Sequence, residues 1–113
     1  MSPVVRRSLA SWLLEFILQR AGYEVLSATS ADEAAELLED HLDVQLLVTD
    51  INLPGTTNGL KLAAATRAMR PTVNIIIVTG YSAPKSDEIP PGSLFVSKPY
   101  NAREMIEAVR HFQ

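Results

Sequence analysis

One stretch of the chain, residues 46–55, constrains the fold more than any other. Its first four residues are apolar or β-branched and run directly into Asp50, which is followed by Asn52 and the turn signal Pro54-Gly55. An uninterrupted apolar run of this length predicts a strand buried on both faces, as in a parallel sheet. Because the turn must end this strand, Asp50 is predicted at the carboxyl end of a central strand, where open α/β sheets bind their ligands.

Helices and strands alternate along the rest of the chain. Apolar periodicity and turn signals predict helices over residues 3–21, 31–40, 58–70 and 101–111, and strands over residues 23–26, 44–49, 73–79 and 94–97. Capping boxes open two of the helices, at Ser30–Glu33 and Asn101–Glu104. This alternation predicts an α/β fold with a parallel sheet, and the absence of a repeat or linker predicts one domain over residues 1–113.

The first predicted helix, residues 3–21, has an unusually wide apolar face. Val5, Leu9, Trp12, Leu13, Phe16 and Ile17 follow the spacing of one helical face, and Leu14 and Leu18 widen it. Pro3 suits the first turn of a helix and Gly22 suits its end.

Composition excludes several classes of protein. The 113 residues are 47% hydrophobic and 20% charged, which is ordinary for a globular domain. The net charge of -3 gives no reason to expect nucleic-acid binding. With no cysteine and two isolated histidines, His41 and His111, a zinc site is not expected. No apolar run reaches the roughly 20 residues that cross a bilayer, so we expect a cytoplasmic protein without a membrane partner.

Polar residues end three successive apolar strands: Asp50, Thr79 and Lys98. The carboxyl ends of parallel strands meet at one edge of the sheet, so these side chains are predicted to converge. A carboxylate can accept a phosphoryl group as a nucleophile, a hydroxyl can donate to its oxygens, and an ammonium is a compact charge suited to phosphate. The set therefore predicts a site that handles phosphoryl groups.

With these residues in place, the chain resembles a response-regulator receiver domain of two-component signalling, of the chemotaxis-response-regulator type. The resemblance covers nearly the whole chain and rests on Val48-Thr49-Asp50-Ile51-Asn52-Leu53-Pro54-Gly55, Asn58-Gly59-Leu60, Ile77-Val78-Thr79-Gly80 and Val96-Ser97-Lys98-Pro99. It implies a flavodoxin-like fold. It also implies that Asp50 is the phosphoacceptor and a Mg²⁺ ligand, with the backbone carbonyl of Asn52 as a second ligand. Thr79 and Phe95 become the switch residues, and Lys98, before a cis Lys98–Pro99 bond, pairs with the phosphoryl group.

The chain departs from this family at its beginning. The family's first strand ends in two acidic residues that hold Mg²⁺, and residues 3–7 match the segment that follows those residues in the family. We therefore expect the first strand and its acidic pair to be missing, the Mg²⁺ site to be incomplete, and phosphorylation to be slow or absent. Glu15 lies too far along the first predicted helix to replace the pair.

Two further departures affect possible partners. A missing first strand leaves an open edge between the strands at 23–26 and 44–49, which predicts a homodimer through that edge or the first helix, with a deeply packed helix as the alternative. The segment between Gly80 and Leu94 is short and proline-rich, so the family's fourth helix is expected to be short or absent.

Three functions remain open at this point. The leading one is a stand-alone receiver, not an enzyme, that takes a phosphoryl group from a histidine kinase or phosphotransfer protein. It would then signal to a downstream partner protein, with Tyr81, Tyr100 and Arg103 as candidate contacts. The alternative is a pseudo-receiver that acts as an interaction or dimerisation module without phosphorylation. A small phosphatase or nucleotide-binding protein is disfavoured, because no glycine-rich phosphate loop is present.

Overall fold

A computed structural model describes residues 6–11, 14–51, 58–80 and 90–112. Its elements alternate along the chain: β1 (Arg6–Ala10), α1 (Glu15–Arg20), β2 (Tyr23–Ser27), α2 (Ala31–Asp40), β3 (Val44–Asp50), α3 (Gly59–Met69), β4 (Asn74–Thr79), β5 (Leu94–Ser97) and α4 (Ala102–Arg110). The five strands form one parallel sheet in the order β2-β1-β3-β4-β5. The predicted flavodoxin-like α/β fold is confirmed.

Helices cover both faces of this sheet. On one face, α2 and α3 pack Leu38 and Leu62 against Leu47, Ile75 and Ile77. On the other face, α1 and α4 contribute Leu18, Met105 and Val109, which pack against side chains of β3 and β4 such as Ile76. The central strands are therefore buried on both sides, which is why they read as continuous apolar runs in the sequence.

The first strand is present, so the prediction that it is missing was wrong. β1 lies between β2 and β3, with Leu9 in register with Leu26 on one side and Leu47 on the other. The edge that we expected to be open is therefore occupied. Arg7 helps to hold this arrangement, because its guanidinium forms ion pairs with Glu24 of β2 at 3.1 Å and with Asp43 at 3.0 Å.

The predicted helix over residues 3–21 was also wrong in extent and in phase. Among the described residues of that range, the α-helix spans only Glu15–Arg20. Leu18 within this helix and Leu14 directly before it, the two residues that widened the predicted face, are buried, whereas Phe16 is 69% exposed. Leu9 belongs to β1, and the side chains of Val5, Trp12 and Leu13 lie outside the described residues.

The other helices begin where their capping residues predict. The side chains of Ser30, Asn58 and Asn101 each accept a hydrogen bond from the backbone N–H three residues later, at 3.1, 2.9 and 2.8 Å. The segment expected to lack a regular fourth helix falls mostly on residues 81–89, which lie outside the described residues.

Candidate functional site

Asp50 and Lys98 meet at the carboxyl edge of the sheet. Asp50 is the last residue of β3, and Lys98 directly follows β5. The ammonium Nζ of Lys98 donates to Oδ2 of Asp50 and forms an ion pair with it. The two side chains are 46% and 26% exposed for Lys98 and Asp50, so the pair lies at the surface, within reach of a ligand from solvent.

Thr79 ends β4, the strand that lies between the strands of Asp50 and Lys98. Asp50 is in register with Val78, one residue before Thr79. The backbone N–H of Lys98 donates to the carbonyl oxygen of Thr79 at 2.7 Å, which fixes the start of the Lys98 segment against β4. The three predicted residues therefore come from three adjacent strand ends, with Asp50 and Lys98 in direct contact and Thr79 buried beside them.

Gly59, part of the Asn58-Gly59-Leu60 motif to which no role was assigned from the sequence, lies against the end of β3. A β-carbon on residue 59 would collide with the carbonyl oxygen of Asp50 and would lie 2.9 Å from Oγ1 of Thr49, so only glycine fits there. The N–H of Gly59 donates to the carbonyl of Ile51 at 2.9 Å, which holds the start of α3 against the end of β3. The signal was present in the Asn58-Gly59 pair, where a helix cap precedes a glycine at a helix start.

A cleft of about 310 Å³ opens beside the Asp50–Lys98 pair. Its walls are mainly apolar and come from residues of β1, β3, α2 and α3 that include Leu9, Leu47 and Leu62. Polar side chains also line it, namely Ser11, Thr29, Ser30, Thr49, Asp50, Lys98 and Tyr100. Asp50 is the one carboxylate among the described residues that form this lining.

Tyr100 borders the cleft, and the charges of Asp50 and Lys98 both affect the pKa of its phenol. Burial raises the pKa of the Tyr100 phenol above its usual value, the positive charge of Lys98 lowers it, and the negative charge of Asp50 raises it. Because burial is the largest of these effects, the net shift is upward. Tyr100 is therefore a neutral hydroxyl at physiological pH, able to donate a hydrogen bond at the mouth of the cleft.

The end of β1 carries no acidic side chain. β1 ends at Ala10, and both Ala10 and Ser11 line the cleft where the resemblance implied a carboxylate pair. Glu15 stands nearby at the start of α1 and accepts hydrogen bonds from Ser27 at 3.5 Å and Gln19 at 3.4 Å. Glu15 does not line the cleft. It lies at the start of a short helix, and its carboxylate is held by side chains of α1 and β2.

Phe95 lies in β5 opposite Ile77 and is partly buried against the core on the α2–α3 face. Side chains two residues apart share one face of a strand, so Thr79 faces the same side as Ile77 and Phe95. The implied cis bond at Lys98–Pro99 is present. Among the candidate partner contacts, Arg103 is exposed and pairs with Glu107, Tyr100 is half-buried, and Tyr81 lies outside the described residues.

A model of the response regulator receiver domain matches residues 6–110 of the chain. The chain belongs to the response regulator receiver family. This receiver is 35% identical over 120 residues to the transcriptional regulatory protein AruR of Pseudomonas aeruginosa, an alignment that covers 96% of this chain and 45% of AruR. It therefore spans less than half the length of AruR.

Two further similarities concern proteins closer in length to this receiver. The response regulator receiver protein CpdR of Brucella abortus is 31% identical over 96 residues, covering 81% of this chain and 78% of CpdR. The response regulator TrrA of Thermotoga maritima, solved in complex with Mg²⁺–BeF, superposes with a TM-score of 0.81 at 28% identity. That superposition covers 96% of this chain and 100% of the TrrA chain.

Receiver domains generally bind Mg²⁺ in an acidic pocket. The possible metal ligands among the described residues of this receiver do not fit such a site. Mg²⁺ requires near-ideal octahedral geometry and is usually bound by one or two carboxylates together with phosphate oxygens and waters. Here the described lining offers one carboxylate, which already pairs with Lys98. The described residues contain no group of three His, Cys, Asp or Glu side chains that could hold a metal. Asn52, the other implied ligand, lies outside the described residues.

None of the helices in the described ranges is long and apolar enough to cross a lipid bilayer.

Proposed function

We propose that this receiver accepts a phosphoryl group on Asp50 from the phosphohistidine of a histidine kinase or phosphotransfer protein. It would then signal to a partner protein through a change of conformation. The observation that carries the proposal is the contact between the Asp50 carboxylate and the Lys98 ammonium at the open edge of a receiver fold. The domain contributes a binding and transfer site rather than turnover of a substrate, so we propose a signalling module and not an enzyme.

The chemistry needs one nucleophile and one nearby positive charge. A carboxylate oxygen of Asp50 attacks phosphorus, the P–N bond of the donor breaks, and its electron pair leaves with the imidazole nitrogen, which takes up a proton. The product is an acyl phosphate on Asp50. The Lys98 side chain is half exposed and already contacts the Asp50 carboxylate, so its ammonium can move to stay beside the phosphoryl group. Its ammonium would stabilise the phosphoryl oxygens as they approach.

The conformational signal would run through β4 and β5. Thr79 is buried next to the site, and Phe95 lies on the same face of the sheet in the neighbouring strand. A phosphoryl group at Asp50 offers new acceptor oxygens to the Thr79 hydroxyl. Rotation of Thr79 towards it would change the space available to Phe95. We propose that a partner reads this change on the exposed surface of β5 and α4, where Arg103 lies.

The test uses a small phosphoryl donor and intact mass. Acetyl phosphate should add the mass of one phosphoryl group to the wild-type protein, and hydroxylamine should remove it, as expected for an acyl phosphate. Asp50→Asn should abolish the adduct. Asp40→Asn, which changes an exposed carboxylate at the end of α2, is the matched control and should leave it unchanged. An adduct that persists in Asp50→Asn would contradict the assignment of Asp50.

A second function, a pseudo-receiver that binds partners without phosphorylation, is favoured by one specific observation. The end of β1 contributes Ala10 and Ser11 to the cleft instead of carboxylates. Under this alternative, no donor gives an adduct, and Asp50→Asn binds a partner as tightly as the wild type. Affinity measurements of the two proteins for the same histidine kinase, with and without donor, separate the two functions.

A further inference from the structure

We propose that the Lys98 ammonium takes the place of a divalent cation at this site, so that phosphoryl transfer to Asp50 proceeds without Mg²⁺. The transfer step rests on the proposed function, whereas the claim about metal binding stands by itself. The inference rests on the difference between the oxygen ligands that this cleft presents and those that a magnesium site needs.

The first argument concerns charge. Mg²⁺ gives up its water ligands reluctantly, and negatively charged oxygens provide most of its affinity for a protein. From the end of β1 to the residue before α1, the sequence is Ala10-Ser11-Trp12-Leu13-Leu14, which contains no acidic side chain. Asp50 is thus the one carboxylate that the described lining offers, and the positive charge of Lys98 already offsets it. A dication entering beside that pair would meet an ammonium as well as a carboxylate.

The second argument concerns the nearest alternative ligand. Glu15 begins α1, and its two carboxylate oxygens accept hydrogen bonds from Gln19 and Ser27. These contacts point the carboxylate to the side of the sheet edge at which β2 ends. Rotating it towards Asp50 would break both of them.

The third argument concerns Lys98 itself. Its backbone N–H is bound to the carbonyl oxygen of Thr79 at 2.7 Å, so the base of the side chain is fixed to the neighbouring strand. Its ammonium contacts Oδ2 of Asp50. An ammonium is a compact charge with three donors, and a positive charge held in advance at the accepting oxygen can stabilise the transferring phosphoryl group. In this step the Asp50 oxygen–phosphorus bond forms, the donor's bond to phosphorus breaks, and the leaving group keeps that electron pair.

Direct titration with MgCl₂, followed by amide chemical shifts, tests the binding claim without any phosphorylation. The wild type should show no saturable shift of residues around Asp50 at millimolar Mg²⁺. Ser11→Asp, which places a second carboxylate in the cleft, should gain a saturable shift, and Ser11→Asn should not. A saturable shift in the wild type that disappears in Asp50→Asn would overturn the inference. If Ser11→Asp fails to fold, the wild-type titration still decides.

Phosphorylation by phosphoramidate, whose P–N bond resembles that of a phosphohistidine, tests the transfer claim. The rate of adduct formation should agree within about twofold between Mg²⁺ and EDTA, and Lys98→Ala should lower it at least about tenfold in both. An adduct that forms only with Mg²⁺ would overturn the inference and leave the proposed function standing. No adduct in either condition would overturn the proposed function, while the titration would still decide the metal claim.

Discussion

The α-carbon of Gly59 lies so close to the backbone of Asp50 that a β-carbon at residue 59 would collide with the Asp50 carbonyl oxygen. This contact joins the first residue of α3 to the last residue of β3. The position of the Asp50 side chain therefore depends on a residue that carries no functional group.

Gly59→Ala should destabilise the fold by about 3 kcal/mol or more, because the added methyl group meets a backbone carbonyl that cannot rotate away. Urea unfolding measures the change. Gly80→Ala is the matched control, since its β-carbon would have its nearest neighbour, Cδ of Lys98, at 3.9 Å. That control should change the free energy of unfolding by less than about 1 kcal/mol. Equal effects of the two substitutions would show that the close approach is not present in solution.

Replacing Lys98 should affect chemistry far more than stability. Its ion pair with Asp50 is 46% and 26% exposed on the two sides, and exposed pairs contribute about 0–1 kcal/mol. Lys98→Ala should therefore change the free energy of unfolding by no more than about 1 kcal/mol, while it slows formation of the Asp50 adduct. Lys61→Ala, an exposed lysine of α3, should change neither quantity. A loss of stability several times larger would mean that Lys98 acts mainly as a structural residue.

The phenol of Tyr100 should titrate above its usual pKa, chiefly because of burial. Removing the positive charge in Lys98→Ala should raise the pKa of Tyr100 further, and removing the negative charge in Asp50→Asn should lower it. Ultraviolet absorbance of the phenolate, as a difference from Tyr100→Phe, measures these shifts. Opposite signs in the two variants would contradict the placement of Tyr100 beside the pair.

The same pKa shift predicts how stability depends on pH. A pKa raised in the folded state means that the unfolded chain loses this proton first as pH rises. The stability contributed by Tyr100 should thus be complete below about pH 10 and be lost as pH rises through the higher folded value. Unfolding free energies measured from about pH 9 to about pH 11 should fall less steeply in Tyr100→Phe than in the wild type.

Replacing the partly exposed Arg70 should destabilise the fold more than most substitutions near the surface. Its guanidinium donates to the carbonyl oxygens of Leu38 and Leu42 at 2.7 Å, and to those of His41 and Val44 at 3.3 Å. Arg70→Met should destabilise the fold by about 1–3 kcal/mol, because several of these carbonyls lose their donor. Arg70→Lys should recover only part, since an ammonium lacks the planar fork. Arg103→Ala, which removes an exposed pair within α4, should cost less than about 0.5 kcal/mol.

The structure has a strand at Arg6–Ala10, whereas the sequence pattern predicts a helix there, and the two can be distinguished by experiment. Backbone chemical shifts should be those of a strand over residues 6–10 and of a helix over 15–20. Amide exchange at Leu9 should be as slow as that of the central strands, because β1 is paired on both sides. Continuous helical shifts from residue 6 to residue 20 would contradict the described fold.

The strands around the site were predictable because burial on two faces requires nearly continuous apolar sequences. β3, β4 and β5 were each predicted to within a residue or two, and the polar residues at their ends were expected to share one edge. The capped starts of α2 and α4 were also predictable, since a capping side chain acts within four residues of the chain. The contact between Asp50 and Lys98 followed from the topology, although the residues are 48 positions apart.

The beginning of the chain was not predictable for an equally physical reason. β1 reads Arg-Arg-Ser-Leu-Ala, and its two apolar residues are too few to show a period, so Leu9 and Ala10 fit a helix pattern as readily as a strand. The polar residues that precede them are accommodated only by tertiary partners. Ser8 is buried and donates to the carbonyl of Glu24 at 3.1 Å, and Arg7 pairs with acidic residues that follow it by 17 and 36 positions. No local pattern contains that information.

The position of β1 has a consequence for the order in which this sheet can assemble. β1 is flanked by β2 and β3, and both follow it in the sequence. On a ribosome, Arg6–Ala10 would therefore emerge with neither hydrogen-bonding edge satisfied and would have to wait for Val44–Asp50 before both were closed. β2 can pair with β1 as it leaves the ribosome, and β3, β4 and β5 then each add to a strand that has already been made. A nascent chain stopped short of residue 44 should therefore keep one unpaired edge on β1.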